Sequence, residues 1–139
     1  MATAIFDDTV SAGDELPSVA RQFRLDDFKR ADEQTIHTDV EAARREGLEA
    51  PVAVGPQVAS LIFRQLRAAF GKGWIEGGRC EVTFRRPVLV TDFCVARGNV
   101  TRTAPAGDGA TRVDCDVWIE NQRGEKVIVG TASGLVWTR

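Results

Sequence analysis

The sequence predicts an α+β domain in which a curved antiparallel sheet of five strands wraps around one long helix. Three observations indicate this: apolar residues with helical spacing over about residues 56–70, four extended segments after that helix, and one extended segment before it. Apolar residues three and four positions apart share a helix face, whereas alternate residues share a face of a strand. One long helix combined with a run of consecutive strands is typical of an α+β fold.

The N-terminal third contains the first predicted strand and two short helices. The segment VARQFRL at 19–25 alternates in the manner of a strand, and the acidic pair that follows can cap a short helix, DDFKRADE. Thr38 or Asp39 can cap the next helix, VEAARREG at 40–47. Gly47 is a suitable C-terminal cap, because glycine readily takes the left-handed conformation found at that position.

The long helix has the clearest pattern in the chain. Pro56 stands near its first turn, where a residue without an N–H is tolerated, and Gly71 and Gly73 are predicted to end it. Its apolar face is wide, as expected for a helix that lies on a sheet. The apolar positions are Val58, Ala59, Ile62, Phe63, Leu66, Ala69 and Phe70.

The rest of the chain alternates as strands do. The extended segments cover about 81–85, 93–103, 113–119 and 127–137, and a hairpin turn around Gly124 separates the last two. The short connections predict that these four strands pair antiparallel through them. The last segment is apolar on both faces, which predicts an interior position in the sheet.

Length and composition favour a single domain, 1–139, with no nucleic-acid or membrane partner. A chain of 139 residues is near the usual domain size. The formal net charge of −2 provides no overall basic field for nucleic acid or an anionic membrane. No apolar run approaches the ~20 residues of a membrane-spanning helix, and the N-terminus lacks a signal-peptide pattern, so a cytoplasmic location is expected.

The three cysteines are Cys80, Cys94 and Cys115. No two of them stand at the spacing of metal ligands, so no metal site is expected. Cys94 and Cys115 lie in alternating apolar segments, and we expect both to be buried as small hydrophobic residues.

His37 is the only histidine and the first candidate for acid–base chemistry. Imidazole titrates near neutral pH, and His37 lies in a polar loop, where catalytic groups are common. Asp32, Glu33 and Asp39 surround it in the sequence, and a carboxylate can fix the tautomer of an imidazole or share in proton transfer. The alternative is that these acids are solvated charges at helix ends.

The start of the long helix is a second candidate site. Gly55 gives a ligand close access to backbone N–H groups that have no partner within the helix. Such a terminus can polarise a carbonyl oxygen and stabilise an enolate, although Gly55 could equally serve only the turn. Ser60 could face a polar cavity, but a serine bonded back to its own helix is the commoner arrangement.

Basic residues cluster around the helix end and the strand that follows. Guanidinium and ammonium groups can hold the phosphates of a nucleotide-bearing substrate, and a solvated surface is the alternative for each of them. These residues are Arg64, Arg67, Lys72, Arg79, Arg85 and Arg86.

The segment ADEQTIHTDVEAARREGLEAPVAVGPQVASL resembles the MaoC-like, or R-specific, enoyl-CoA hydratases. The motif of that family runs approximately Gly-Asp-x-Asn-Pro-x-His with Ala or Ser six residues later, and here Asp32, His37 and Ala43 have that spacing. Gly55 matches the glycine that begins the long helix of the family. The resemblance extends to ASL at 59–61 and to VTFRRPVLVTD beyond the helix, and so covers nearly the whole chain.

The resemblance implies the hot-dog fold and the reversible addition of water to a trans-2-enoyl-CoA, which gives a (3R)-hydroxyacyl-CoA. Asp32 and His37 would activate and deliver the water, and the Gly55 amide would bind the thioester oxygen. No metal or redox cofactor is implied. The implied partners are an acyl-CoA or acyl-carrier thioester and a second copy of the chain, in a homodimer or higher oligomer.

Further contacts follow from the same resemblance. Gln34 and Ser60 are candidates to line the pocket. Lys72, Arg85 and Arg86 are candidates to contact the phosphates of CoA. The implied enzyme is thus a hydro-lyase of the enoyl-CoA hydratase or 3-hydroxyacyl thioester dehydratase type.

Three motif positions differ from the family, because Ala31, Gln34 and Thr35 stand where the family has Gly, Asn and Pro. Gln34 keeps an amide but is longer by one methylene, and the loss of proline relaxes the loop before His37. These differences leave open a non-catalytic or partner-dependent subunit of a heteromeric hydratase. A hot-dog thioesterase is a further alternative, but it requires a carboxylate on the long helix, and residues 56–70 contain no Asp or Glu.

Overall fold

The computed structural model describes residues 4–28 and 34–138 and confirms the predicted α+β fold. The strands are β1 (Val19–Gln22), β2 (Arg79–Phe84), β3 (Phe93–Gly107), β4 (Ala110–Glu120) and β5 (Lys126–Trp137). The helices are α1 (Val40–Arg45), α2 (Gly55–Phe70) and α3 (Lys72–Gly77), with a 3-10 turn at Leu25–Asp27. The strands form one antiparallel sheet in the order β1-β3-β4-β5-β2, and α2 contacts β1, β3, β4 and β5. None of the helices in the described part of the chain is long and apolar enough to span a membrane.

Strand pairing differs from the prediction at one point. β3 pairs with β4 and β4 with β5, as predicted, but β2 pairs with β5 and not with β3. The connection at 85–92 therefore passes the ends of β5 and β4 to reach β3, instead of turning back as a hairpin. This pairing gives β5 the interior position that its two apolar faces predicted, and it leaves β1 and β2 at the edges of the sheet.

The predicted caps of α1 are confirmed. Asp39 is the N-cap residue and its carboxylate accepts a hydrogen bond from the Glu41 N–H at 2.8 Å. Gly47 follows the helix with φ of +82°, a conformation that favours glycine. The helix predicted in DDFKRADE is a 3-10 turn as far as Asp27, and residues 29–33 lie outside the described residues.

The helix α3 was not predicted. Gly71 ends α2 as predicted, with φ of +55°, but α3 begins at the next residue. Gly73 lies inside α3, where an added Cβ would collide with the carbonyl oxygen of Leu135. This glycine therefore allows the backbone of α3 to pack directly on β5, and the sequence pattern alone could not distinguish that role from a helix stop.

The core lies between α2 and the inner face of the sheet. Cys94 and Cys115 are buried there, as predicted, and burial raises the pKa of each thiol to about 12. Both thiols therefore stay protonated at neutral pH and behave as small apolar groups. The largest fully buried apolar side chains are Phe23, Leu61, Ile62, Leu66, Ile119 and Ile128.

Gln65 is a polar residue on the buried face of α2. Its side chain is 0% exposed, and neither its amide nitrogen nor its amide oxygen has a hydrogen-bond partner among the described residues. Burial of an unpaired amide costs roughly 1–3 kcal/mol in proteins. Gln65 therefore lowers the stability of the core in which it lies.

Replacement of Gln65 by methionine should raise the free energy of unfolding by about 1 kcal/mol or more, because methionine has a similar shape and needs no hydrogen-bond partner. Urea denaturation followed by tryptophan fluorescence measures the change. Gln65→Glu is the matched control and should lower stability, because it buries a charge at the same place. A methionine variant less stable than the parent would contradict the prediction.

Candidate functional site

The segments on either side of α1, the start of α2 and the connection between β2 and β3 line a cavity. Its volume is about 390 Å³, within the usual range for small-molecule sites. The wall is mostly apolar, and Arg85 and Arg86 are its charged members. The apolar lining includes Ile36, Leu48, Val52, Val58, Val88 and Ile128.

One wall of the cavity is a short antiparallel pairing of two segments, 51–53 and 88–90. Val52 forms an isolated bridge with Leu89, and backbone hydrogen bonds of 2.7 and 3.1 Å join the two segments on either side of it. Neither segment has the length or alternation of a strand, so the sequence pattern did not predict this pairing. It brings the region before α2 against the region before β3.

Val52 also holds the loop that carries His37. The Val52 N–H donates to the Ile36 carbonyl at 3.0 Å, and the Val52 carbonyl oxygen lies 2.7 Å from His37 Nδ1. A carbonyl oxygen can only accept, so Nδ1 carries the proton and Nε2 keeps its lone pair. Nε2 has no hydrogen-bond partner among the described residues, and it is therefore the ring nitrogen that can take a proton.

The turn before α1 is held by threonine hydrogen bonds. The Thr35 hydroxyl oxygen accepts from the His37 N–H at 3.2 Å, and the Thr38 hydroxyl oxygen accepts from the Thr35 N–H at 3.1 Å. The Thr35 carbonyl accepts from the N–H groups of Thr38 and Asp39 at 3.1 and 2.9 Å. These bonds restrain the backbone at the position where the related motif has proline. Asp32, the predicted partner of His37, lies outside the described residues, as does Ala31.

Gly55 lines the same cavity as the first residue of α2. Its N–H has no acceptor among the described residues, and the N-cap residue, Val54, provides no side-chain cap. An added Cβ on Gly55 would lie 3.1 Å from Cε1 of Phe84, a cavity-lining ring that is 54% exposed. The glycine therefore leaves space beside the ring at a helix start whose N–H is unpaired, and such a donor can stabilise an oxygen that gains negative charge. Phe84 could not be predicted as a site residue from the sequence, because a phenylalanine at a strand end carries no signal of its own.

Ser60 and Gln34 lie away from this cavity wall. The Ser60 hydroxyl donates to the Gln57 carbonyl at 2.6 Å, which is the bond to its own helix that the sequence left as an alternative. Gln34 is exposed, and neither residue lines the cavity. Within residues 4–28 and 34–138 no group of three or more His, Cys, Asp and Glu side chains is arranged to hold a metal ion.

The structure brings Arg85 and Arg86 together at the cavity but separates both from Lys72. Arg86 pairs with Glu125 at 3.2 Å, whereas Arg85 has no acidic partner within ion-pair distance in the described part of the chain. Lys72 follows the opposite end of α2, a helix of 16 residues and so about 24 Å long. Within one chain, Lys72 therefore cannot share a small ligand with the two arginines.

Comparison with known proteins finds relatives among solved structures. No family model and no curated protein matches the chain. A MaoC-like dehydratase from Rhodospirillum rubrum is 26% identical, with a TM-score of 0.81 over 98% of this chain and 99% of that one. The R-hydratase PhaJ1 from Pseudomonas aeruginosa is 18% identical, with a TM-score of 0.72 over 94% and 84% of the two chains. A chain of the HadBC (3R-hydroxyacyl-ACP dehydratase) complex from Mycobacterium tuberculosis is 20% identical, with a TM-score of 0.62 over 89% and 96%.

These likenesses run over nearly the full length of each chain, so they concern the whole sheet and helix and not a shared fragment. They agree with the hot-dog fold that the motif around His37 and Gly55 implied. The chain therefore has the hot-dog fold of these MaoC-like and R-hydratase structures.

Proposed function

We propose that the protein is a hydro-lyase that adds water reversibly to a trans-2-enoyl thioester and gives a (3R)-hydroxyacyl thioester. The observation that carries this proposal is the arrangement at Val52. His37, with its proton on Nδ1, is hydrogen-bonded to Val52 in the cavity wall and is not itself a lining residue, and Gly55, whose N–H is unpaired, lines the same cavity. The cavity combines an apolar wall, a donor for an oxyanion and two arginines at its edge. An acyl thioester of an anionic carrier offers the complementary groups.

The proposed reaction needs a base and a group that stabilises negative charge. Nε2 of His37, together with Asp32, takes a proton from a water molecule as the water oxygen bonds to C3 of the enoyl group. The electron pair of the double bond moves toward the thioester carbonyl, and the Gly55 N–H donates to the oxygen that becomes negative. The proton then passes to C2, so that H and OH add across the double bond and no cofactor takes part.

We propose a homodimer or higher oligomer in the cytoplasm, with an acyl-CoA or an acyl-carrier thioester as substrate. One related structure is itself a complex, HadBC, which supports an assembly of more than one chain. A partner-dependent subunit is the second candidate, and purified protein that binds crotonyl-CoA but hydrates it only with another chain would favour it.

A thioesterase is less consistent with the site. Such an enzyme needs a carboxylate on the long helix to activate water against the thioester carbonyl, and α2, with the sequence GPQVASLIFRQLRAAF, has none. Release of free CoA from crotonyl-CoA, in place of a gain in mass of one water, would overturn this assignment.

Asp32→Asn and His37→Gln should each lower kcat for hydration of crotonyl-CoA by about a hundredfold or more, because each removes an acid–base group from the reaction. Mass spectrometry of the product and the loss of enoyl absorbance measure the rate. Circular dichroism and thermal unfolding of both variants serve as controls for folding. Parental activity in either variant would remove that residue from its proposed role.

Gly55→Ala should lower kcat by about tenfold or more, because the new methyl group fills the space beside the Phe84 ring, 3.1 Å from Cε1, at the residue whose N–H is proposed to bind the oxyanion. Phe84→Ala and the double variant separate two explanations. If the loss comes from the blocked amide, the double variant stays as slow as Gly55→Ala. Recovery of the parental rate in the double variant would show that displacement of the Phe84 ring caused the loss, and would contradict the role of the amide.

Arg85→Ala should raise KM for crotonyl-CoA about tenfold with little change in kcat, because a hydrogen bond to a charged group contributes roughly 1.5–3 kcal/mol. Lys72→Ala is the matched control: it also removes one positive charge, but at the other end of α2, and should leave KM unchanged. Crotonyl-pantetheine, which lacks the phosphates, should show the same KM with the parent and the Arg85 variant. Equal effects of the two substitutions on crotonyl-CoA would contradict a specific contact at Arg85.

A further inference from the structure

Asp92 is a buried carboxylate at the end of the connection between β2 and β3. The side chain is 2% exposed, and both of its oxygens accept hydrogen bonds. Oδ2 accepts from the Leu89 N–H at 2.9 Å and Oδ1 accepts from Gln122 Nε2 at 2.9 Å. The Asp92 N–H also donates to the Leu89 carbonyl at 3.0 Å, so residues 89–92 form a closed turn.

Gln122 holds this turn from the hairpin between β4 and β5. Its Oε1 accepts from the Phe93 N–H at 3.1 Å while its Nε2 donates to Asp92. One end of the amide must therefore accept and the other must donate, which sets its orientation. The hairpin itself is fixed by Asn121, whose Oδ1 accepts from the N–H groups of Arg123 and Glu125 at 3.0 and 3.1 Å.

The turn leads directly to the histidine. Leu89, whose N–H binds Asp92, forms the antiparallel bridge with Val52, and the Val52 carbonyl oxygen lies 2.7 Å from His37 Nδ1. Each link from Gln122 to His37 is thus a hydrogen bond or a backbone bridge. Apart from Val52, none of the residues in this chain of contacts lines the cavity at Gly55.

We propose that Asp92 and Gln122 are positioning residues that place the Val52 carbonyl and thereby keep the proton of His37 on Nδ1 and Nε2 free. Their part in catalysis rests on the proposed hydratase function, but their effect on the imidazole does not. A merely structural role of Asp92 and Gln122 would lower stability and leave the tautomer of His37 unchanged.

The two residues allow a test by exchange of their polar groups. In Asp92→Asn the side chain can accept at only one of its two ends, so either the Leu89 N–H or Gln122 Nε2 loses its acceptor. In Gln122→Glu two carboxylates face each other. In the double variant D92N/Q122E, the new amide at position 92 donates to the new carboxylate at position 122, and acceptors for the Leu89 and Phe93 N–H groups are restored. The net charge of the pair is also the same as in the parent.

His37 is the only histidine, so in the untagged protein every imidazole signal belongs to it. The ¹⁵N shifts of the two ring nitrogens distinguish the Nδ1–H from the Nε2–H tautomer of a neutral imidazole. We expect both single variants to lose the uniform Nδ1–H signature and to lower kcat for crotonyl-CoA about tenfold or more with little change in KM. The double variant should recover both properties to within about threefold of the parent.

Thr101→Val is the matched control, because it removes one hydrogen bond from a side chain to a backbone carbonyl, the 3.2 Å bond to Asp114, in another part of the sheet. It should change neither the ring signals nor kcat. Parental ring signals in both single variants, or a double variant no closer to the parent than the single ones, would overturn the proposal. If the parent hydrates no enoyl thioester, the proposed function fails while the ring signals still decide whether Asp92 and Gln122 position His37.

Discussion

The hydrogen bond between His37 Nδ1 and the Val52 carbonyl oxygen connects the fold to the proposed chemistry. A backbone carbonyl does not titrate in the physiological range and cannot donate, so it selects one tautomer of the neutral ring. Its position depends on the pairing of residues 51–53 with 88–90, which is a feature of the backbone. The tautomer of His37, and with it the nitrogen that we propose as the base, is therefore set by sheet topology and not only by the neighbours of His37 in sequence.

The crossing connection at 85–92 is the part of the topology on which this depends. Because β2 pairs with β5, the chain must pass the end of the sheet to reach β3, and on that path it supplies Val88 to the apolar wall and Arg85 and Arg86 to the charged edge. A hairpin between β2 and β3 would place none of these residues against the start of α2. The pairing of β2 with β5, which the sequence pattern did not predict, thus brings together the apolar wall and the arginines of the proposed substrate site.

The sequence predicted those parts of the structure that repeat a side-chain pattern. The helix α2 and the strands β4 and β5 follow from periodicity, and the caps of α1 follow from Asp39 and Gly47. The partner of β2 depends on contacts distant in sequence, which periodicity does not encode. His37 and Gly55 could be chosen as candidates because one is a unique histidine and the other begins a helix. Val52 could not be chosen, because its contacts with His37 and Leu89 use backbone atoms, which every residue has.

The turn at Thr35 bears on whether the chain works alone. A relaxed loop before His37, following the loss of the motif's proline, was a physical reason to expect dependence on a partner. The hydrogen bonds of Thr35 and Thr38 restrain that loop in another way, since they bind the His37 N–H and the start of α1 within the same turn. Val52 restrains the loop again from the cavity side. Because residues 35–39 are held by hydrogen bonds of their own, the loss of proline is no longer by itself a reason to expect that another chain must complete the site.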